Sequence, residues 1–345
     1  MLEPYIAKVI QYQNLTADEA GTAMDIIMSG EATQAQIGAY LVALRMKGET
    51  VDEIVGSARA MRSHASQVPF EAGNEDVVDI VGTGGDGAHT FNISTTAAFI
   101  IAGAGRKVAK HGNRAASSKC GSADVLAALG VNLDLTPKQV ATCIQDIGIG
   151  FIFAPKFHPA QKYAIGPRRE IGQRTIFNLL GPLTNPVGAT HQLIGVYAPN
   201  LTQPLAQVIG ELGGRAAFVI HGYGGLDELT TAGPNRVSHL HNGSVETYEL
   251  DAARYGLRQV SPGDLDGGVP EENATILRDL LTGRDTSPRR DVVLLNSAAA
   301  LAVESNDLPG ALAEAEVSLK SGAALDKMEK LVALSQRLAQ EPAAA

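Results

Sequence analysis

Through residues 1–65 apolar side chains recur at helical spacing. Ile37, Leu41 and Leu44 share one face, and Ile54, Ala58 and Met61 share another. Three helix starts carry a capping box: Thr16 with Glu19, Thr33 with Gln36, and Thr50 with Glu53. Gly30 and Gly48 stand where the second and third helices should stop. From residue 77 the pattern changes. VVDIV (77–81) is a short β-branched run ending in glycines and reads as a buried strand. KVAK (107–110), VNLDL (131–135), GFIFA (150–154), LIGVY (193–197) and AAFVI (216–220) read the same way, with helical stretches at 94–105 and 122–130 between them. This alternation predicts a mostly parallel sheet with helices on both faces. The run at 238–250 predicts a hairpin turning at Asn242-Gly243, and from Glu272 onward the chain is helical again. Gly166 to Pro186 lacks a strand period and is too long for a plain connection, so it is expected to be helical and to return to the N-terminal unit. The expected organisation is a small helical domain, 1–70 with 165–190 returning to it, and a large α/β domain from 71–164 and 191–345. So small a bundle cannot bury every apolar face by itself; part of its surface should pack on another domain or subunit.

Composition narrows the function classes. The 345 residues carry a formal net charge of -9, whereas a nucleic-acid binder normally presents a basic face. Cys120 and Cys143 have no metal-ligand spacing and read as reduced structural thiols. The N-terminal stretch has an acid at Glu3 and no long apolar core, so a signal peptide is not expected. No apolar run reaches the roughly 18 residues of a membrane span. These features predict a soluble cytoplasmic protein with neither nucleic acid nor membrane as a partner.

Four segments carry chemistry, three of them directly after strands. Gly82-Thr83-Gly84-Gly85-Asp86-Gly87 formally matches a dinucleotide-binding turn. Against that reading, the helix cap expected at Ser94 lies seven residues beyond Gly87, and Lys110-His111 stand where an acid should hold a ribose. Asp86 would also repel a bare pyrophosphate inside the loop. A glycine loop whose N–H groups cradle a phosphate remains. Next, Thr90 to Thr96 (TFNISTT) clusters hydroxyls and an amide at a helix N-terminus, where an anion is favoured. Lys110 to Lys119 (KHGNRAASSK) adds cations, a flexible glycine and hydroxyls at the same sheet edge. Finally, Asp227-Glu228 follows a glycine-rich turn and suits Mg²⁺, which takes carboxylates together with substrate phosphates. Together these segments predict a phosphorylated sugar and Mg²⁺. No Ser-His-Asp order, HExxH or Walker A accompanies them.

GTGGD, NIST, KHGNRAASSKCGSADVLAALG, FIFAPKFHPA, PRREIGQRTIFNLLGPLTNP and HGYGGLDEL, in this order, closely resemble the anthranilate phosphoribosyltransferase family from about residue 4 to 340. The resemblance implies a helical domain plus an α/β domain of the class shared with pyrimidine nucleoside phosphorylases, and a homodimer joined through the helical domains. It implies transfer of a phosphoribosyl group from 5-phosphoribosyl 1-pyrophosphate to anthranilate, in tryptophan biosynthesis, with Mg²⁺. By position, Gly82, Gly85, Asp86, Thr90, Asn92, Ile93, Ser94 and Thr95 would line the sugar-pyrophosphate site. Lys110, His111, Gly112, Asn113, Arg114, Ala115, Ala116, Ser117, Ser118 and Ser122 would wrap the phosphates. Gly82 and Asn113 would also touch anthranilate, Arg168 would face its carboxylate, and Ser94, Asp227 and Glu228 would hold the metal. Gln161 stands where the family is expected to have Met.

Anthranilate brings its own neutral amine, so no general acid or base is expected. Catalysis should rest on positioning and charge stabilisation, with Lys110 and Mg²⁺ carrying the charge. His111 and His158 read as hydrogen-bonded loop histidines. The alternatives are a nucleoside phosphorylase on the same fold, which would need a base-recognition set in place of Asn113 and Arg168, and a non-catalytic nucleic-acid-binding relative, which should be basic.

Overall fold

The computed structural model describes residues 1–341 except 72, 74, 116, 117 and 262. Four helices open the chain: α1 (Glu3–Val9), α2 (Ala17–Met28), α3 (Gln34–Lys47) and α4 (Val51–Ser63). All three predicted capping boxes form, each hydroxyl accepting from the N3 amide while the N3 side chain accepts from the cap residue's own N–H. Glu53 does more. Its second carboxylate oxygen accepts the Leu15 N–H at 2.9 Å, and its first is paired with Lys47, so this buried charge is fully partnered.

The α/β part runs β1 (Val77–Gly82), α5 (Ile93–Gly103), β2 (Lys107–Gly112), α6 (Ser122–Leu129), α7 (Pro137–Ile147), β3 (Ile149–Phe153) and the single turn α8 (Ala154–Phe157). After α9 (Lys162–Ile171) and α10 (Phe177–Leu183) come β4 (His191–Gly195), α11 (Thr202–Glu211), β5 (Ala216–His221), β6 (Asn235–His241) and β7 (Ser244–Leu250). Four helices close the chain: α12 (Pro270–Leu281), α13 (Pro288–Leu301), α14 (Leu308–Lys320) and α15 (Ala323–Gln340). The sheet order is β3-β2-β1-β4-β5-β6-β7. The first five strands are parallel, and β6 and β7 continue the sheet antiparallel. The expected Asn242-Gly243 turn joins β6 to β7, with both residues at positive φ, 50° and 73°. Among the described residues no helix is long and apolar enough to cross a membrane.

The predicted strand at 131–135 does not form. Val131 and Leu135 are buried, yet the segment runs as an irregular link between α6 and α7. The place beside β2 is taken by β3. Side chains satisfy the link's backbone instead: Asn132 N–H donates to Ser335 Oγ at 3.0 Å. Burial alone gave the apolar pattern here, without a ladder.

Alternate residues of β5 feed two cores, as strand geometry requires. Ala216, Phe218 and Ile220 face the helices α5–α7 and α12–α15. Ala217 and Val219 belong to a second core with α11, the N-terminal bundle, and Ala164, Ile176, Phe177, Leu179, Leu180 and Leu183 of the α9–α10 segment. α5 is buried on nearly every side, as expected of a helix apolar all round, packed against β1, β2 and the closing helices α13, α14 and α15.

Candidate active site

A cleft of about 400 Å³ opens at the carboxyl ends of β1, β2 and β3 and beside the loop after β5, where open α/β sheets hold ligands. Every site residue named from the sequence lines it, except Ala116 and Ser117, which lie outside the described residues.

Several partners hold the glycine loop as it leaves β1. Thr83 N–H donates to the Gly195 carbonyl at 2.9 Å, and Tyr197 N–H donates to Thr83 Oγ1 at 3.2 Å. Gly84 and Gly85 sit at φ 68° and 73°, which a side chain would resist. A Cβ on Gly82 would collide with the Asp227 carboxylate. Gly84 N–H donates to Asp227 Oδ2 at 2.6 Å, so one amide of the cradle already holds an acid.

Asp227 and Glu228 serve different neighbours. Asp227 stands against the glycine loop, its N–H directed at Asp86 Oδ2 at 3.4 Å. Glu228 reaches the start of α5, where its Oε1 accepts the Ser94 N–H at 3.1 Å. Burial, then the nearby Asp86 and Glu228 charges, hold the Asp227 carboxyl well above the usual carboxylate range. Burial pushes Glu228 up to about 7, against the pull of Lys110 and Ser94. Both face the cleft rather than open solvent, and the acids outnumber the cations around them.

The helix start also differs from expectation. α5 begins at Ile93, with Asn92 at the cap position and no side-chain cap; Ser94 is its second residue. Its free amide is capped from across the cleft by Glu228. Asn92 is turned inward: its Nδ2 donates to the Cys120 carbonyl at 3.3 Å, and its Oδ1 accepts from Asn273 Nδ2 at 2.9 Å. The Thr95 hydroxyl is buried and has no partner among the described residues.

Lys110, His111 and Gly112 belong to β2 itself rather than to a flexible loop. Lys110 is only 3% exposed. Its Nζ donates to the Ile80 carbonyl at 2.7 Å and to Ser94 Oγ at 3.4 Å. Burial lowers its pKa, while Asp79 and Glu228 support the charge. His111 Nδ1 lies 3.2 Å from the Gly181 carbonyl, which fixes its proton there. Its ring sits 5.1 Å from that of His158. Burial pushes His111 down to about 3 and His158 down to about 4, so both are neutral, and the Nε2 of each is buried with no partner among the described residues. Beyond the strand, Asp124 organises the loop: it accepts from the Ala115 and Gly121 amides and pairs with Arg114 at 2.8 Å.

On the opposite wall, Arg168 lies half-buried over the Phe177 ring at 4.8 Å and lines the cleft, while Arg169 is exposed and does not. Burial lowers the Arg168 pKa, and among the described residues no acid pairs with it. Gln161 lines the same wall. Sequence reasoning missed Asp79, Asn185, Asn273, Asn178 and Arg174. The TIFNLLGPLTNP and GQR strings were visible, but which of their polar residues point at the sheet depends on packing.

Two family models match the chain: the helical bundle domain of a glycosyl transferase family over residues 3–65, and the a/b domain of that family over 74–325. The anthranilate phosphoribosyltransferase of Moorella thermoacetica is 55% identical over 335 residues, covering 96% of this chain and 98% of the relative. The chain belongs to the anthranilate phosphoribosyltransferase family. A crystal structure of the Thermus thermophilus anthranilate phosphoribosyltransferase superposes with a TM-score of 0.91 at 42% identity, over 96% of this chain and 99% of that one. The Saccharomyces cerevisiae anthranilate phosphoribosyltransferase, in complex with 5-phosphoribosyl 1-pyrophosphate and Mg, superposes at 0.89 with 28% identity, over 97% and 98%. The family's fold is the one described here, a helical bundle beside a mostly parallel sheet, and neither the phosphorylase nor the nucleic-acid-binding alternative finds support among these relatives.

Proposed function

We propose that this chain transfers the phosphoribosyl group of 5-phosphoribosyl 1-pyrophosphate to the amine of anthranilate, giving N-(5-phosphoribosyl)anthranilate and pyrophosphate. The observation that carries the reading is a single cleft holding a glycine cradle, a buried lysine and two acids at one end and an unpaired guanidinium at the other. Its phosphate end is formed by Gly82, Gly85, Asp86, Thr90, Asn92, Ile93, Ser94, Thr95, Lys110 to Ala115, Ser118 and Ser122. Asn92 acts there through its backbone position, because its amide is engaged internally. The aromatic amine sits between Gly82, Asn113 and Arg168.

Mg²⁺ fits the donors at the phosphate end. Asp227, Glu228 and the Ser94 hydroxyl are hard oxygen ligands, and burial, with neighbouring acids, raises both carboxyl pKa values, so a cation between them would be welcome. Among the described residues no three acidic, histidine or cysteine side chains form a ready-made cage, as suits a cation that keeps water and phosphate ligands. When bound, Mg²⁺ neutralises charge on the departing pyrophosphate. Lys110, held to the Ile80 carbonyl and Ser94, supplies a fixed positive charge from below without any rearrangement. Arg168 orients the amine's ring through the carboxylate. Neutral His111, backed by the His158 ring, keeps the adjoining wall uncharged. The substrate amine displaces pyrophosphate at ribose C1 and then releases its own proton, so no side chain need act as a strong base.

The division into a small helical domain with residues 165–190 returning to it belongs to the same proposal, supported by the shared core. So does a homodimer through that domain: Ile10, Tyr12, Met46 and Ile165 leave apolar surface exposed on it, 48–69% each. The two free, buried cysteines support a cytoplasmic location. Loss of anthranilate fluorescence on adding sugar pyrophosphate and Mg²⁺ tests the activity; fluorescence unchanged with both substrates present would reject it. Sedimentation tests the dimer, and a mass near the chain's own 36.0 kDa would reject that.

A further inference from the structure

Arg174 is an exposed cation between α9 and α10, on the wall opposite the glycine loop. Its root is fixed. Gly172 ends α9 at φ 61°, and Thr175 N–H is capped by Asn178 Oδ1 at 3.0 Å. The guanidinium lies 4.2 Å from the centre of the Tyr197 ring and donates from Nη2 to the Gly85 carbonyl. Tyr197 itself follows β4, and its N–H donates to Thr83 Oγ1 at 3.2 Å. Tyr197, two residues beyond β4, therefore holds the root of the glycine loop through its backbone and carries, on its ring, the cation that holds the loop's tip.

The loop needs such a partner. Between Gly82 and Thr90 it has three glycines at positive φ, at 84, 85 and 87, and no ladder to a neighbouring strand. Its other polar contacts hold its two ends: Thr83 to Gly195 and Tyr197, Gly84 and Asp86 to Asp227, Ala88 N–H to Asp86 Oδ1, and the His89 carbonyl to Gly267 N–H; none of these holds Gly85. Glycine-rich backbone loses much entropy when fixed, and a cradle works only if its amides are already aimed. A planar guanidinium stacked on a ring is well suited to the task, since the stacking leaves its edge N–H groups free to donate in one direction.

We propose that Arg174 is a positioning residue, a latch from the far wall that holds the glycine loop in the shape that receives the pyrophosphate end of the substrate. This rests on the sugar-pyrophosphate reading of the cleft. Two readouts on the full-length protein separate the latch from that reading. The first is amide hydrogen exchange over residues 83–88 without substrate. Arg174→Ala should exchange faster there by about tenfold, the equivalent of one modest hydrogen bond, with the rest of the chain and the melting temperature unchanged. Arg174→Gln, which keeps an N–H donor without charge, should recover part of the protection. The second is steady-state kinetics: the Michaelis constant for sugar pyrophosphate should rise by about tenfold in Arg174→Ala while that for anthranilate stays put. Loop exchange at the wild-type rate in Arg174→Ala overturns the latch. So does Arg174→Gln being as impaired as Arg174→Ala with a defect that vanishes at high salt, since that marks plain attraction of an anion. A lowered melting temperature with all constants altered together overturns it as well, in favour of a structural role. If the wild type shows no turnover, the functional reading fails and the exchange measurement alone decides the latch.

Discussion

Asn185 donates its amide to Asp79 Oδ2 at 2.8 Å and to the Ala109 carbonyl at 2.7 Å. One side chain just beyond α10 thus ties β1 to β2 beneath the cleft floor, and Asp79 Oδ1 passes the tie on to the His111 N–H at 3.2 Å. Burial raises Asp79 to about 6, and Asn185 is the strongest influence holding it down. Asn185→Ala leaves a fully buried carboxyl short of a donor. It should cost about 2–3 kcal/mol, the usual worth of a hydrogen bond to a charged group plus the unmet polar atom. Urea unfolding monitored by circular dichroism reads this directly. A midpoint within error of wild type would show the tie to be idle.

Asp227→Asn and Glu228→Gln should each lower turnover on the order of 100-fold, because each removes one fixed charge facing the metal and pyrophosphate. Their structural consequences should be small or favourable. Both acids are surrounded by protein and by each other's charge, and neutral isosteres relieve that repulsion in the metal-free protein. Thermal melting without Mg²⁺ should therefore stay level or rise. Wild-type Mg²⁺ titration curves in both variants would dismiss the metal role, and a collapsed transition would mean the carboxylates are structural.

Arg168 is the partly desolvated member of its arginine pair, so Arg168→Ala should raise the Michaelis constant for anthranilate roughly 30–100-fold, equivalent to about 2–3 kcal/mol for a charged hydrogen bond. The constant for sugar pyrophosphate should barely move. Arg168→Lys should fall between, since an ammonium cannot match a carboxylate in bidentate fashion. Arg169→Ala is the control, being exposed and outside the cleft lining. Equal damage to both constants would remove Arg168 from the aromatic end.

His158 is buried and neutral, with a folded pKa of about 4 against an ordinary 6.5. As the pH falls below 6.5 the unfolded chain takes up a proton that the folded chain refuses. Stability is therefore lost with acidification from about 6.5 down to about 4, by about 1.4 kcal/mol per pH unit for one such group. Asp79, raised to about 6, acts with the opposite sign over the same range, because its folded form binds the proton first. The comparison of His158→Phe with wild type isolates the histidine: the variant should show the shallower acid slope in melting temperature. Parallel pH curves would mean that His158 titrates normally in the folded protein.

Local signals in the sequence were read correctly where a short stretch decides its own structure. The capping boxes at Thr16, Thr33 and Thr50 depend on residues three apart, and the Asn242-Gly243 turn on two neighbours. That these segments would meet in one cleft was legible because glycines, hydroxyls and cations cluster at strand ends. What escaped was decided by distant chain. Val131 to Leu135 looked like a strand because it is buried, but β3 had taken the neighbouring place. The cap of α5 was assigned to Ser94, whereas Glu228 supplies it from 134 residues away. Lys110 was read at the end of the KVAK strand, but its burial over the Ile80 carbonyl was not, because that depends on β1 lying beside β2. Asn185 and Arg174 stood in plain view within a quoted motif, yet their partners lie on strands and loops that no local period reveals.

The second core joins Met24, Leu41 and Met61 of the bundle to Ile194 and Val219 of the sheet and Leu205 of α11 in one continuous apolar mass. The two family models divide the chain near residue 70, but no such seam exists in the packing. Cutting there would bare one face of β4 and β5 together with α11, and would leave the four opening helices without the α9–α10 segment that shares their interior. The modules can be told apart by descent, but they cannot be exchanged like beads on a string. A chimaera that swapped residues 1–65 for those of a distant relative would need matching changes at Phe177, Leu180 and Leu205, because those side chains are as much a part of the bundle as its own.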